Sequence, residues 1–594
     1  MNIKSGLLEK KSMALSIFSI AAIIFCSPIF HNFSYLGQMD WDQFTFWNAV
    51  PRKTVLTYHQ FPLWNPYGNG GNVLLAHPHS SFLSPFYLFV LFFGPVTGIK
   101  LEIIVLLIIG MLGMFLLSNH MGGKGISSYA PSFVFMLSSI YPLHLTEGHV
   151  EWLGMAFVPW LFLSYLKSID NKNYVYVALL LFAVMVLGGG VYISVIMAAF
   201  LTLYSFVMIV REKRIVWLRN IAIIFAGVFL LSSIKLFPML EFLTHSPRTI
   251  ESTENISPLL LPTILLDRNQ GGLYAQTKWS APDKKAFVGN NVVIDYGWHE
   301  YGAYIGIIPL LLFAGGIFFS FKKQWPFLLI GIIFLILSLG RGFPIDLWRI
   351  LHFLPIYDSL HVPSRLILIF IFVLSIFSGL CLSKIEENMK KMNTGRAGVF
   401  LIVLFIFLDL YLVNGFILKQ AFVIAPIRVE YNAEFKQRYD SVNFYPAISR
   451  SAMYPIFLSN SGILDAYEVI NVKKGNVLAV KDPGYRGEVY LADGKGSATI
   501  TSFSPNRIVV NVNAHDVDTL VLNQNYYKGW RLKGCHDPRV RSFNGLIAAH
   551  VDSSDKKAIF FYMPKSFIIG CLVTGASIIT IFLFLLKSKL ASND

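Results

Sequence analysis

Twelve apolar runs recur along the chain and limit its fold more than any other feature. A membrane-spanning helix needs about 20 such residues, with a range of about 17 to 25. The runs cover 14–30, 99–118, 127–145, 149–167, 174–187, 190–210, 217–240, 303–320, 325–340, 364–384, 397–418 and 566–587. Only helices and closed barrels satisfy their backbone in lipid, and runs of this length read as helices. A polytopic α-helical membrane protein is therefore expected. Charged residues make up only 14% of the chain, against about 25% in soluble domains. The net charge of +15 does not point to nucleic acid. Lys and Arg fall largely in short loops, as cytoplasmic loops of membrane proteins require, and no module that reads nucleic acid is present.

Charge also sets the expected topology. Lys10 and Lys11 place the N-terminus inside. The basic clusters at 211–214, 322–323, 384–396 and 587–589 share that side only if the short apolar segment 81–93 does not cross. That segment, broken by Ser84-Pro85, is read as an interfacial or re-entrant helix. The result is 12 spans with both ends inside. The N-terminal run lacks a small-x-small cleavage site and is read as an uncleaved first span. The four cysteines lack metal-ligand spacing and a disulfide framework, so they read as inert thiols.

Residues 31–98, 241–302 and 420–565 then lie outside, with a shorter outer loop at 341–363, and the cytoplasmic face is nearly bare. The expected organisation is a membrane domain over 1–419, an external β-rich domain over 420–565, and a final helix with its tail over 566–594. Within 420–565, "SATITSFSPNRIVVNVNA" holds two alternating runs about a turn, and "DTLVLNQNYY", "LIAAHV" and "AIFFYMP" read as further strands. Asn544-Gly545 has the composition of a tight hairpin turn. A β-sandwich that supports the rest or binds an acceptor is expected.

The outer segments carry the polar groups. Asp40 and Asp42 sit among Trp41, Phe44, Phe46, Trp47, Trp64 and Tyr67, an interface-seeking collar in which burial makes a carboxylate a better base. A spacing of two turns the acids to different sides on a strand or a helix, so one of the pair faces any given cavity. His77 and His79, with a proline between them, do not by themselves make a metal site. His299 and Glu300 stand at the entrance to a span, next to the aromatic belt residues Trp298, Tyr301 and Tyr304. "EGHVEW" adds Glu147, His149 and Glu151. Ionisable groups at membrane depth are functional candidates. His361 and Arg365 open another span, where a cation suits a phosphate head group; Lys235 and Glu241 are lesser candidates. "LGGGVYIS" at 187–194 reads as a tight hairpin between spans, because a phosphate loop would need a Lys-Ser/Thr ending.

Four stretches resemble the YfhO-like bacterial membrane proteins within the GT-C class of polytopic glycosyltransferases. They are "DWDQF…FPLWNPYGNGG…HPHSSFLSPFYL", "WHEYGAYIGIIPLLL", "HVPSRLILIF" and "TLVLNQNYYKGWRLKG…NGLIAAHV…IFFYMP". The resemblance implies a bacterial inner-membrane enzyme with its active site and C-terminal domain on the outer face. Such an enzyme moves a sugar from a polyprenyl-phosphate carrier to an envelope glycan, teichoic acid, lipid or protein, with inversion. It implies Asp40 as general base, with Asp42 the second choice, and Gln43, Trp64, Asn65, His77, His79, Glu300 and Tyr301 as substrate contacts. His361 and Arg365 would hold the lipid phosphate. No tightly bound cofactor is expected, although a divalent cation fits the chemistry. The alternatives are a transporter or flippase of lipid-linked sugars, which would need polar residues deep in several spans, and a non-enzymatic scaffold for envelope assembly.

Overall fold

A computed structural model describes residues 11–247, 254–277, 296–341, 343, 346–389, 395–439, 452–468, 470 and 472–590. Among these residues, six helices are long and apolar enough to cross a membrane, and Val216–Leu231 with Ser233–His245, bent by 82°, forms a broken seventh. The expectation of twelve spans is met only in part, because other runs fold as shorter or interrupted helices. Lys11–Phe25 and Asn173–Leu187 have 15 residues each, about 22 Å of helix. Tyr87–Phe93 has only 7 residues, too short to cross, as the charge distribution requires.

Two expected spans are interrupted for a visible reason. The run 127–145 divides into Tyr129–Leu137 and Ile140–Glu147. Asn414, on the helix Gly395–Leu418, satisfies the break: its side chain accepts from Ser139 Oγ and donates to Leu137 O, each at 2.5 Å. The Ser139 amide donates to Tyr304 O at 3.1 Å. The run 149–167 opens with 3-10 geometry over Val150–Phe157 before the helix Val158–Ser168. These breaks place backbone turns and polar side chains at the end of the bundle where Asp40, Glu300 and Arg365 lie.

The runs 303–320 and 325–340 form one continuous helical stretch, Ile307–Ser338, with Pro326 inside. That stretch folds back on itself. Ser378 Oγ donates to Pro309 O at 2.8 Å, and a Cβ added to Gly331 would lie 2.9 Å from Val373. Ser378 and Val373 are about 7.5 Å apart along their helix, whereas a straight helix would separate Pro309 from Gly331 by about 33 Å. Arg211 donates to Lys323 O at 2.8 Å, Gln324 donates to Met121 O at 3.3 Å, and Lys124 pairs with Glu387 at 2.9 Å. The basic loops therefore meet at one end of the bundle, opposite Asp40, Glu300 and Arg365.

The C-terminal sandwich is narrower than the segment expected to form it. One sheet pairs Arg541–Phe543, Leu546–Val551, Asp518–Asn525 and Val489–Leu491, and the other pairs Gly496–Ser504, Arg507–Ala514, Lys557–Tyr562 and Trp530–Lys533. Alternate residues face inward, as period-2 strands require: Ile508, Val510 and Phe560 from one sheet pack with Leu520, Leu522 and Ile547 from the other. Asn544 and Gly545 both have positive φ, 51° and 81°, the geometry of a type I′ turn. Residues before 489 instead contribute the helix Met453–Leu458 and the parallel strands Lys436–Arg438 and Ser461–Ile463. The final helix, Lys565–Leu590, follows the last strand.

Candidate functional site

Asp40 is set at the start of the helix Trp41–Leu56 by contacts to Ile140–Glu147. Its amide donates to Glu147 O at 2.9 Å, and Trp41 Nε1 donates to Leu145 O at 2.7 Å. Gly148 permits this approach. Its φ is 106°, and a Cβ there would lie 2.4 Å from the Trp41 nitrogen, so only glycine fits. Lys100 fixes the preceding chain by donating to the carbonyls of Asn32, Phe33 and Tyr35 at 2.7–2.8 Å.

From Asp40 a buried polar network extends across five further chain segments. Its carboxylate faces His149 Nε2 at 3.5 Å. His149 Nδ1 lies 2.9 Å from His144 Nδ1, and Trp152 stacks on the His144 ring with centroids 3.8 Å apart. Glu300 lies 4.0 Å from His144 and 3.6 Å from His299, and His299 lies 3.4 Å from Glu147. Tyr274 donates to Glu147 at 3.1 Å. Arg365 grips Glu300 with two nitrogens, Nε at 2.7 Å and Nη2, the bidentate geometry of a strong charge-assisted pair. The guanidinium lies 4.2 Å over the Tyr192 ring, and Tyr192 meets His361 at 2.6 Å. Asp40, His149 and His299 are 7–8% exposed, and the network opens further at His361, which is half-buried.

Burial and charge set the protonation of this group. Burial alone would raise the Glu300 carboxyl, and the Arg365 guanidinium outweighs it, holding Glu300 well below the usual carboxylate range. Burial would lower His299, and the Glu147 carboxylate outweighs it, raising the imidazole above its ordinary value. Glu300 is thus a permanent anion, and His299 keeps its proton to higher pH than a free histidine.

Asp40, Glu300, Tyr301, His361 and Arg365 belong to this region, with Tyr301 donating to Glu254 beside Glu300. The remaining predicted residues lie elsewhere. The two oxygens of Asp42 accept from the amides of Met453 and Tyr454 at 2.8 and 3.0 Å, so Asp42 holds the start of Met453–Leu458. Gln43 donates to Tyr467 O at 3.4 Å. Trp64 enters the sandwich core against Trp530 and Tyr562, and its Nε1 donates to Gln524 at 2.9 Å. The Asn65 side chain accepts from the Tyr67 amide within its own loop. His77 and His79 lie against Trp47, with His77 3.0 Å from Glu468. Asn65, Asn72, His77 and Glu468 line a cavity.

The network also contains residues that the sequence did not single out. His144 follows an apolar run and stands five residues before His149, a spacing with no standard motif. Tyr192, Glu254 and Tyr274 come from unremarkable stretches, and only the fold brings them in.

No protein-family model matches the chain, and no curated protein matches it. Among solved structures, it is similar to the cryo-EM structure of the arabinofuranosyltransferase AftD from Mycobacteria. The identity is 14% and the TM-score 0.41, over 70% of this chain and 27% of that protein.

Proposed function

We propose that this chain is a membrane glycosyltransferase of the GT-C type. It would take a sugar from a polyprenyl-phosphate carrier, transfer it with inversion to a cell-envelope acceptor, and act on the outer face of the bacterial inner membrane. The observation that carries the reading is the placement of Asp40. It is buried against His149 and linked through His144 and His299 to Glu300 and Arg365. A buried carboxylate beside an imidazole suits a general base that must take a proton from an acceptor hydroxyl. On this reading the acceptor would enter beside Asp40, at the Asp40–His149–His299 edge. Arg365, already committed to Glu300, holds that carboxylate in place, and a phosphate role for it would require exchange of partners.

The test is transfer from a polyprenyl-phosphate sugar to envelope acceptors by the purified full chain. Asp40→Asn is expected to lose about 10²- to 10⁴-fold in rate with its thermal transition kept. Equal transfer by wild type and Asp40→Asn would overturn the assignment of the base.

A further inference from the structure

The nitrogens and oxygens of His144, His149 and Glu300 converge more closely than packing requires. Each residue offers one ligand atom, and these atoms lie within 4.8 Å of one another with all three residues buried.

Three further observations favour a cation. His144 is fully buried and its Nε2 has no hydrogen-bond partner, whereas buried polar atoms are normally paired. That nitrogen is directed at Glu300 Oε2, 4.0 Å away. Glu151 Oε2 is likewise buried without a partner.

The surroundings match those of a metal site. Trp152 fixes the His144 ring by stacking, and Arg365 fixes the Glu300 carboxylate while leaving it spare lone pairs. Such outer partners orient ligands and tune their basicity. Two imidazoles and one carboxylate favour zinc-like ions over Mg²⁺ or Ca²⁺, which take oxygen ligands. We propose that His144, His149 and Glu300 form a divalent transition-metal site at the centre of the polar network, with Zn²⁺ the best-fitting ion. This departs from the sequence expectation of no tightly bound cofactor, and it does not depend on the chain being a glycosyltransferase.

The test measures metal and not sugar transfer, so its failure and that of the proposed activity are told apart. Full-length protein in detergent is stripped with chelator, dialysed against Zn²⁺ and analysed for bound metal by mass spectrometry. About one equivalent per chain is expected. His144→Ala and His149→Ala should each weaken binding by more than the roughly 10- to 100-fold that follows loss of an outer partner. His550→Ala, on the exposed end of a sandwich strand, should bind as wild type. Should the histidine variants lose their thermal transition, Co²⁺ bound to wild type supplies the second measurement, because four-coordinate imidazole and carboxylate ligation gives a visible absorption far stronger than the weak bands of the octahedral aquo ion. Wild type that retains under a tenth of an equivalent, folded variants that bind as wild type, or bound Co²⁺ with the spectrum of the aquo ion would overturn the proposal.

Discussion

The outer segment after the first helix has two parts with opposite fates. Its later part, around residues 60–80, is clamped to the sandwich by neutral, one-to-one contacts. Trp64 donates to Gln524, Asn506 donates to Phe61 O, and Asn525 donates to the carbonyls of Asn69 and Gly71. Its earlier part, at Asp40, enters a network in which acids outnumber cations and His144 and Glu151 keep buried atoms unpaired. An unmet buried group costs about 1–3 kcal/mol, and clustered, perturbed ionisable groups mark candidate functional sites. On the proposed reading the sandwich is the scaffold, and the broken helices carry the site.

The largest expected effects test that division directly. Arg365→Ala removes the bidentate partner of the buried Glu300 carboxylate and leaves it only the imidazole of His299, and should cost about 3–5 kcal/mol of stability, read as a lowered thermal transition. The Arg365→Met, Glu300→Gln double variant should recover most of the loss. If the single and double variants melted alike, the pair would not be carrying a buried charge. Trp64→Ala removes a side chain buried against Trp530 and Tyr562, at a cost of about 3–5 kcal/mol. Because Trp64 serves the scaffold, transfer per folded molecule should stay close to wild type. A loss of transfer without a loss of stability would move Trp64 back among the substrate contacts.

Glu488 offers a counterpart to Glu300 on the scaffold side. It accepts from the Gln437 amide at 2.8 Å, Tyr485 at 2.9 Å and Asn523 at 3.3 Å, all neutral donors. Burial raises its carboxyl from 4.5 to about 7, so the folded state holds a proton that the unfolded state has released. Its contribution is full below pH 4.5 and is lost as pH rises to about 7. The change amounts to about 3 kcal/mol at most, at 1.36 kcal/mol per unit. Glu488→Gln should flatten the fall in thermal stability between those pH values, and an unchanged slope would assign it to other groups.

What was legible in the sequence follows from the range of the interactions. Alternation and turn chemistry are local, so the strands about Pro505-Asn506, the turn at Asn544-Gly545 and the Gly188–Gly190 connection between two helices appear where expected. The charge pattern correctly grouped the basic loops and demoted 81–93. Asp40, Glu300 and Arg365 were legible as ionisable groups at the ends of apolar runs. Hydropathy averaged over a window hid the break at Ser138-Ser139, because its partners, Asn414 and Tyr304, lie far along the chain. The same distance hid the work of Trp64, whose partner Gln524 is 460 residues away. His144 was hidden because its meaning lies in Trp152, His149 and Glu300 together, and no one of these is a signal alone.

The smallest expected effect separates the two acids that the sequence left in competition. Asp40 and Asp42 sit two residues apart at the start of one helix and are equally acidic in isolation. The fold turns Asp40 to His149 and Asp42 to the amides of Met453 and Tyr454. A carboxylate that accepts from two amides at a helix start acts as a cap, and its loss costs about 0.5–2 kcal/mol. Asp42→Ala should therefore lower the thermal transition modestly and leave transfer per folded molecule near wild type, while Asp40→Asn does the reverse. Measuring both quantities on both variants gives a crossed result that neither a general loss of folding nor a shared catalytic role produces. If Asp42→Ala instead abolished transfer with its stability intact, the base would be Asp42, and the Asp40–His149 contact would be structural.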